Sequence, residues 1–468
     1  MFNFSCANIK TNAPLFPCRK QLIGTSQLKK IFIGIRLTCF LLSWFAAINS
    51  VFFSSSDSFI VYAGTLSFGV FLVLTVFELK FQSFFILLLL LSIATLLLPS
   101  VPTGQELLNG GEYILVFAGL IPTMALVRAT AVRMDAVKHS QALLFKLPNK
   151  LALSGFQVYA HFFGSVINTG VFAMLSSAIP PSSTEQNRVH FALATLRGMV
   201  TSATWSPFFV AFVVGQVYVD SFSAWLALPL GLMISLTFMI ISIFLFSKKT
   251  TLNDFGRATE CLKPVLNYLV LIMILVLFCA ILFNLTALSA IITVMPILVS
   301  AYLISTKKQV KSILIDTLEH MKRSTDDVVI ISAAMLVGFF VTNQPDSSLI
   351  LSDLGLSKLP TWSILIFIPM VMSSLSLFGI HPVISSTVLL SVYTAEQFEI
   401  NHTLIMQAHL IGWSTGTMCS IASLSVITCS NLFRTSNVKL CFGSNTAATL
   451  IFGFSGGSLL TLIHLLLY

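Results

Sequence analysis

Charged residues are scarce in this chain of 468 residues: Asp, Glu, Lys and Arg together make up 9% of it, whereas apolar residues make up 56%. A soluble domain carries about 25% charged residues, so the composition excludes an ordinary soluble domain and indicates a polytopic α-helical membrane protein. The net charge is +9. In a membrane protein this excess is typical of Lys and Arg in cytoplasmic loops, so it does not indicate a nucleic-acid partner.

Motifs for metal, redox or nucleotide chemistry are also missing. The chain has no His-Glu-x-x-His, no Walker loop, and no Cys-x-x-Cys among its eight cysteines. Disulfide and metal interpretations are therefore weak, and a pump with its own nucleotide site is excluded. We expect no enzyme, no metal site and no cofactor, apart from Na+ or H+ as a coupling ion.

Apolar segments of roughly 20 residues, the length that crosses a bilayer, recur along the chain. In the first half they fall at 31–53, 58–77, 81–99, 105–127 and 155–178. In the second half they fall at 222–246, 265–284, 286–305, 327–344, 361–393, 403–432 and 445–467. With the stretch described next, they predict about eleven crossings plus two broken or re-entrant elements. Residues 1–30 are polar and basic, so we expect a cytoplasmic N-terminal segment and not a cleaved signal.

The stretch 191–219 is apolar enough for a membrane, yet polar residues and a proline interrupt its middle. If this stretch were a regular lipid-facing helix, the hydroxyls of Thr201, Ser202, Thr204 and Ser206 would face the hydrocarbon of the membrane. Pro207 removes one helix donor and frees a carbonyl. Interrupted backbone at membrane depth persists only where it is buried in protein or lines a cavity. We therefore expect a helix break of the kind that forms binding sites in transporters.

A second stretch, 408–427, repeats this one at a shift of 214 positions, which places Ala408 on Ala194. The other identical pairs are Leu196 and Leu410, Gly198 and Gly412, Thr201 and Thr415, and Ser206 and Ser420. A shift of 215 also pairs Phe163-Gly164 with Phe378-Gly379, and Glu112 with Asp327. The chain is therefore interpreted as a first membrane repeat at 31–219, a second at 222–443, and a C-terminal transmembrane helix at 445–468.

Loop charge indicates that the two repeats have opposite orientations. The loop after 105–127 carries five cations: Arg128, Arg133, Lys138, Lys146 and Lys150. Its counterpart after 327–344 carries Asp346 and Asp353 against Lys358. Because cations accumulate on the cytoplasmic side, equivalent loops would lie on opposite sides. Inverted repeats with a site at their interface are a recurrent design of secondary transporters.

The segment Phe163–Leu175, with Asn168-Thr169-Gly170 in its middle, resembles an interrupted helix of the ion transporter superfamily that bears a Ser-Asn-Thr motif. This group includes divalent anion–sodium symporters, arsenite-efflux-type permeases and the large membrane subunits of TRAP dicarboxylate transporters. Ile167 stands where the motif has Ser, and His381-Pro382 replaces Asn-Thr in the second repeat. The resemblance extends over most of the chain at the level of architecture. Because dimers occur in this group, it also implies a dimer.

The same resemblance implies re-entrant hairpins at 105–127 and 327–344. At about 1.5 Å per residue, a segment of 23 residues fits one crossing better than two half-helices and a turn. Loop charge also favours a crossing. Both alternatives stay open from sequence.

Small polar residues in the two interrupted regions are the candidate ligands for a substrate or ion. They are Asn168, Thr169, Thr201 and Ser206 in the first repeat, and Ser385, Ser386, Thr387, Thr415 and Ser420 in the second. Such side chains can coordinate a cation or donate to a carboxylate. Ordinary packing between membrane helices is the alternative, since small polar residues are enriched there.

Four charged or titratable residues add to these candidates. Arg197 lies inside an apolar stretch, where it could bind a carboxylate in a fork or extend to the headgroups. His381 could gate protons or hold an anion, or bond a backbone carbonyl. Glu112 and Asp327 open equivalent elements, where an acid favours the helix dipole; proton coupling is the other interpretation.

These features predict an all-α polytopic protein of a bacterial inner membrane, built from two inverted repeats with broken or re-entrant helices at the centre. We expect a secondary transporter that moves a small organic anion, di- or tricarboxylate-like, by alternating access coupled to Na+ or H+. Cation–proton exchange and oxyanion efflux are alternatives on the same scaffold. A partner-dependent TRAP-type subunit and a lipid-linked glycan polymerase or ligase are the rivals from other classes. The expected partners are membrane lipid, an anionic solute and a second copy of the chain.

Overall fold

The computed structural model describes residues 26–52, 59–98, 100–180, 182–219, 221–247, 251–306, 309–343, 359–394, 400–421 and 423–467. Within these ranges the regular elements are α-helices and short 3-10 turns. Eight of the described helices are long and apolar enough to cross a membrane, or nine if a bent helix pair counts as one crossing. The expected class, an all-α polytopic membrane protein, is confirmed. The predicted N-terminal segment and the loop 346–360 lie almost wholly outside the described residues.

The helices follow the predicted apolar segments in chain order. In the first half they are α1 (Ser26–Phe52), α2 (Phe59–Val76), α3 (Phe81–Leu97), α4 (Gly104–Ala131), α5 (Asp135–Phe145), α6 (Asn149–Ile167), α7 (Gly170–Ser176), α8 (Glu185–Thr201) and α9 (Val210–Tyr218). Next come α10 (Ala224–Phe246), α11 (Leu252–Thr259), α12 (Lys263–Leu282), α13 (Ala287–Thr306), α14 (Val310–Arg323) and α15 (Thr325–Thr342). The chain ends with α16 (Thr361–Leu377), α17 (Pro382–Tyr393), α18 (His402–Cys419), α19 (Leu424–Phe433), α20 (Asn437–Cys441) and α21 (Ser444–Leu467).

Continuous helices occupy both segments for which a crossing and a hairpin were alternatives. α4 has 28 residues and is therefore about 42 Å long. It begins with a capping box, in which the Thr103 hydroxyl accepts from the N–H of Glu106 and the Glu106 carboxylate accepts from the N–H of Thr103. α15 is likewise one helix of 18 residues. Neither 105–127 nor 327–344 reverses direction.

Helical hairpins are formed instead by α6–α7 and α16–α17. α5 leads directly into α6, and Gln141 of α5 donates from Nε2 to the carbonyl of Met174 near the end of α7, at 2.9 Å. α7 therefore returns toward the side from which α6 starts. In the second hairpin the rings of Phe367 and Tyr393 lie 6.4 Å apart, so the end of α17 is beside the first half of α16. Residues 155–178, expected to form one crossing, form most of the first hairpin.

Two interrupted crossings run antiparallel to each other at the centre. The first is α8–α9 and the second is α18–α19. Glu185, at the start of α8, pairs with Lys439, just after α19, at 2.5 Å. Ser221, just after α9, hydrogen-bonds His402 at the start of α18. Each crossing therefore begins where the other ends.

Burial separates a central group of helices from a lipid-facing group. In the most apolar 18-residue window of the span that contains α18 and α19, 71% of the residues are buried, and in that of α4 the share is 72%. In the span that contains α12 the share is only 17%. Every residue of α8 from Ala192 to Thr201 is buried. The broken crossings and α4 therefore form the core, and α12 lies at its periphery.

Candidate functional site: a cavity between two hairpin tips

A cavity of about 190 Å³ lies where both hairpin tips and both helix breaks come together. Its polar lining residues, which define what we call the hairpin cavity, are Arg128, Asn168, Thr169, His320, Ser324, Asp327, His381, Thr417, Ser423 and Ser425. Phe208, Phe209 and Trp413 are among its apolar lining residues. Pockets for drug-sized ligands measure roughly 300–1,000 Å³, so this cavity suits a smaller solute.

The first tip holds Asn168 in a backbone conformation that glycine normally adopts. Its φ is 50° and its ψ is −134°, and Thr169 follows at −56° and −13°. These angles match the two central positions of a type II′ turn, which reverses the chain between α6 and α7. For a residue with a side chain, such a conformation stores about 1–3 kcal/mol of strain and is typical of functional sites.

The polar groups of this tip are free for a ligand. Asn168 and Thr169 are half-buried and both line the hairpin cavity. Within the described part of the chain, neither the Asn168 amide nor the Thr169 hydroxyl has a hydrogen-bond partner. The strained turn therefore presents an amide and a hydroxyl to the cavity.

At the second tip, glycine ends one helix arm by a different turn. Gly379 has a φ of 84°, and the N–H of Ile380 donates to the carbonyl of Leu375 at 3.1 Å. This is the hydrogen bond of a Schellman motif, in which a residue with positive φ stops the helix. It ends α16 two residues before His381.

His381 starts the second arm and faces the cavity with a defined tautomer. Its Nδ1 accepts from the backbone N–H of Val383 at 3.2 Å, and Pro382 takes the first helical position, where no donor is needed. Because Nδ1 accepts, the neutral ring carries its proton on Nε2. The ring also packs edge-on against Trp413, with centroids 6.0 Å apart. His381 therefore supplies the cavity with a hydrogen-bond donor.

The two breaks use their serines differently. Ser206 donates to the carbonyl of Ser165 at 2.5 Å and accepts from the N–H of Phe208 at 3.2 Å, so it joins the first break to α6. At the second break, the hydroxyls of Ser420 and Ser423 are buried and have no hydrogen-bond partner among the described residues. Only Ser423 of these three lines the cavity.

A cation and an anion line the cavity without pairing. Arg128 lies in the last turn of α4, and its Nε packs so closely on Gly170 that an added Cβ would come within 2.6 Å of it. Asp327 lies in the first turn of α15, where the helix dipole favours a negative charge. Within 4.0 Å, neither forms an ion pair with any described residue.

Arg197 is buried elsewhere, outside the hairpin cavity. Its side chain donates to the Ser444 hydroxyl at 3.3 Å and to Asn445 Oδ1 at 3.2 Å. Its Cζ lies 4.4 Å from the centre of the Phe246 ring, which is a cation–π contact. With 4% of its surface exposed, it does not extend to solvent. The guanidinium therefore joins α8 to the end of α10 and the start of α21.

Of the residues predicted as ligands, the structure brings Asn168, Thr169 and His381 together in one cavity. Ser420 is buried beside the second break and does not line the cavity. Five others hydrogen-bond inside the helix bundle: Thr201, Ser385, Ser386, Thr387 and Thr415. Those contacts match the packing interpretation for small polar residues.

Sequence reasoning missed several polar lining residues, among them Arg128, His320 and Ser423. Arg128 was interpreted as a loop cation, whereas α4 continues to Ala131. His320 lies at the end of α14 and Ser423 beside the second break. The pairing of Asp327 with Glu112 was a usable signal for the acidic residue, although Glu112 itself does not line the cavity.

The titratable side chains of the described residues form no group of three or more that could hold a metal ion.

Comparison with known proteins yields little. No family model matches the chain, and no curated protein matches it. A search of solved structures found the crystal structure of the Alcanivorax borkumensis YdaH transporter, described as having an unusual topology. The two chains are 12% identical with a TM-score of 0.47, and the match covers 81% of this chain and 97% of that one. A likeness at this level does not assign the chain to a family.

Proposed function

We propose that the protein is a secondary transporter that binds a small solute with a carboxylate or another anionic group in the hairpin cavity. The observation that carries the proposal is that two hairpin tips and two interrupted crossings line one cavity. Unwound backbone in a membrane protein persists only where protein or a cavity surrounds it. Secondary transporters form midplane substrate sites from such interrupted helices.

The lining chemistry supports a solute with an anionic group. Arg128 can bind a carboxylate with two parallel hydrogen bonds. The Asn168 amide, the Thr169 hydroxyl and the Nε2–H of His381 are further donors in the lining of the same cavity. This assembly replaces the predicted role of Arg197, which lies outside the cavity.

The local hydrogen bonds of two corresponding threonines are compatible with the proposal that the chain contains two inverted repeats. Thr201 donates to the carbonyls of Arg197 and Gly198. At the shift of 214, Thr415 donates to the carbonyls of Ile411 and Gly412. The opposite directions of the two interrupted crossings fit an inverted relation. We propose that the two halves alternate access to the cavity, driven by a Na+ or H+ gradient across a bacterial inner membrane.

Thermal stabilisation of the purified protein in detergent tests this function. The panel contains di- and tricarboxylates, monocarboxylates, amino acids, sulfate and arsenite, each with and without Na+ and at two pH values. A ligand that binds only the folded state stabilises it by about 2.7 kcal/mol at a hundred times its dissociation constant. We expect at least one compound with an anionic group to raise the unfolding temperature, and uptake into proteoliposomes to follow.

A matched pair of variants assigns the effect to the cavity. Thr169→Val removes a hydroxyl from the lining with little change in shape. Thr237→Val removes one from the exposed side of α10, where it bonds the carbonyl of Met233. We expect the ligand effect to weaken only in the first variant. Folded protein that responds to none of the compounds would contradict a small-solute carrier.

A further inference from the structure

Arg128 and Asp327, the two charged residues on the cavity wall, differ in their ion pairing from charged residues nearby in the sequence. Asp326 accepts from the Ser83 hydroxyl at 3.0 Å and lies 3.8 Å from Lys80, whereas Asp327 has no ion-pair partner among the described residues. A similar contrast holds near the end of α4, where Arg133 pairs with Asp316 at 2.5 Å and Arg128 has no ion-pair partner in the described part of the chain. The fold therefore pairs the charges beside the cavity and leaves one cation and one anion available inside it.

We infer that the hairpin cavity selects a zwitterionic solute, an amino acid or a similar amine-bearing carboxylate, whose carboxylate binds Arg128 and whose ammonium group binds Asp327. The inference rests on the proposed transport function and names its substrate class. A half-buried charge is unfavourable unless a partner compensates it, and a ligand with one group of each sign compensates both.

The other lining groups have places in this arrangement. Arg128 packs on Gly170 beside the first tip, so the carboxylate would lie there, within reach of Asn168 and Thr169. Asp327 is at the start of α15, and both Asp327 and Ser324 line the cavity, so the ammonium group would lie against this helix start. The buried Ser423 hydroxyl, without a described partner, can accept from that ammonium group or donate to the carboxylate.

A dicarboxylate fits this wall less well. Its first carboxylate can bind Arg128, but the described residues that line the cavity include no second arginine and no lysine. Its other carboxylate would share the cavity with Asp327, and like charges repel strongly where water is excluded. The formal charges of Arg128 and Asp327 cancel, which matches a solute without net charge.

The experiment compares ligands that differ only in the amino group. Binding to the purified wild-type protein is measured by thermal stabilisation and by calorimetry for alanine and lactate, aspartate and malate, and 4-aminobutyrate and butyrate. We expect the amine-bearing member of at least one pair to bind tenfold or more tightly. Equal or tighter binding of the amine-free members overturns the inference while leaving the transport proposal intact. Absence of binding by all six compounds also overturns the inference, whereas the transport proposal itself is contradicted only if the wider panel described above gives no binding either.

Charge-neutralising variants locate the recognition. Asp327→Asn is expected to remove the preference for the amine-bearing member of a pair, while carboxylate binding persists. The control is Asp326→Asn, which removes the neighbouring carboxylate and should leave the preference unchanged. A preference that survives in Asp327→Asn would overturn the assignment of the ammonium site. The comparison uses the ratio of two affinities in one variant, so a uniform loss of active protein does not affect it.

Displacing Arg128 without removing its charge tests the carboxylate-binding end of the proposed site. Gly170→Ala places a methyl group where the arginine side chain now lies, and the flexible end of that side chain must move. We expect both members of each ligand pair to bind several-fold more weakly, with the ratio of their affinities preserved. Arg133→Gln, which removes a cation outside the cavity, is the control. Unchanged affinities in Gly170→Ala would exclude Arg128 as the carboxylate ligand.

Discussion

Replacing Asn168 by glycine separates the strain of the first hairpin tip from its function. The residue has a φ of 50°, and relief of such a conformation is worth about 1–3 kcal/mol. Glycine also gains freedom in the unfolded chain, which offsets about 0.5–1 kcal/mol of that gain. We therefore expect Asn168→Gly to stabilise the protein by about 1 kcal/mol.

The same substitution removes the side-chain amide from the cavity wall. A hydrogen bond to a charged group contributes about 1.5–3 kcal/mol, so solute affinity should fall roughly tenfold to a hundredfold. Stability is measured by equilibrium unfolding in mixed detergent micelles, and affinity by calorimetry on the same preparation. We predict that stability increases while solute affinity falls. Damage to the fold would not produce this combination.

Asn284→Gly is the matched control. Asn284 also has a positive φ, 51°, but it is exposed between α12 and α13 and does not line the hairpin cavity. We expect it to leave affinity unchanged. If Asn168→Gly lowers stability, the strain argument is wrong. If it leaves affinity unchanged, the Asn168 amide is not a ligand.

Three further substitutions test the packing around the site. Arg197→Met should keep solute affinity and destabilise by about 1–3 kcal/mol, because it leaves Oδ1 of the buried Asn445 without its donor at 3.2 Å; a tenfold loss of affinity would return Arg197 to the site. Gly198→Ala should destabilise by about 1–3 kcal/mol, since the new Cβ meets a backbone carbonyl of α6, whereas Gly69→Ala, which has open space around it, should not; equal stabilities in micelle unfolding would contradict this. Trp205→Phe should cost about 1–3 kcal/mol because it leaves Nε2 of the buried His161 without its donor at 3.1 Å, and unchanged unfolding would show that water replaces the donor.

The sequence predicted where the helices are interrupted but not how the chain continues past each interruption. The small polar residues and Pro207 indicated the first break, and the repetition of this stretch at 408–427 indicated the second, at Ser420. The apolar segment around Asn168 is long enough to cross the membrane. Its length does not distinguish a single crossing from a hairpin. The reversal depends on one backbone conformation, at a residue that glycine would usually occupy.

Site residues were predictable only where the chemistry was local. Asn168 and His381 stand out as polar residues in apolar surroundings, and both line the cavity. Arg128 does not stand out, because hydropathy assigns the first cation after an apolar run to a loop. The partners of Arg197, Ser444 and Asn445, are more than 240 positions away in the chain, so its burial was predictable and its neighbours were not.

Close helix contacts divide the centre of the protein into two units that meet at the cavity. Gly198 of α8 allows close approach of the first arm of one hairpin, and Gly412 of α18 allows that of the other, where an added Cβ would lie 3.0 Å from Pro369 Cα. Small residues permit such contacts and join each hairpin to the interrupted crossing of its own half. Hydrogen bonds also join the two units: the Ser414 hydroxyl donates to the carbonyl of Val200 at 2.7 Å, and His409 Nε2 lies 2.9 Å from the carbonyl of Ala211. If the proposed transport uses rigid-body motion of one unit against the other, these contacts between the units must break and re-form, while the glycine contacts within each unit are kept.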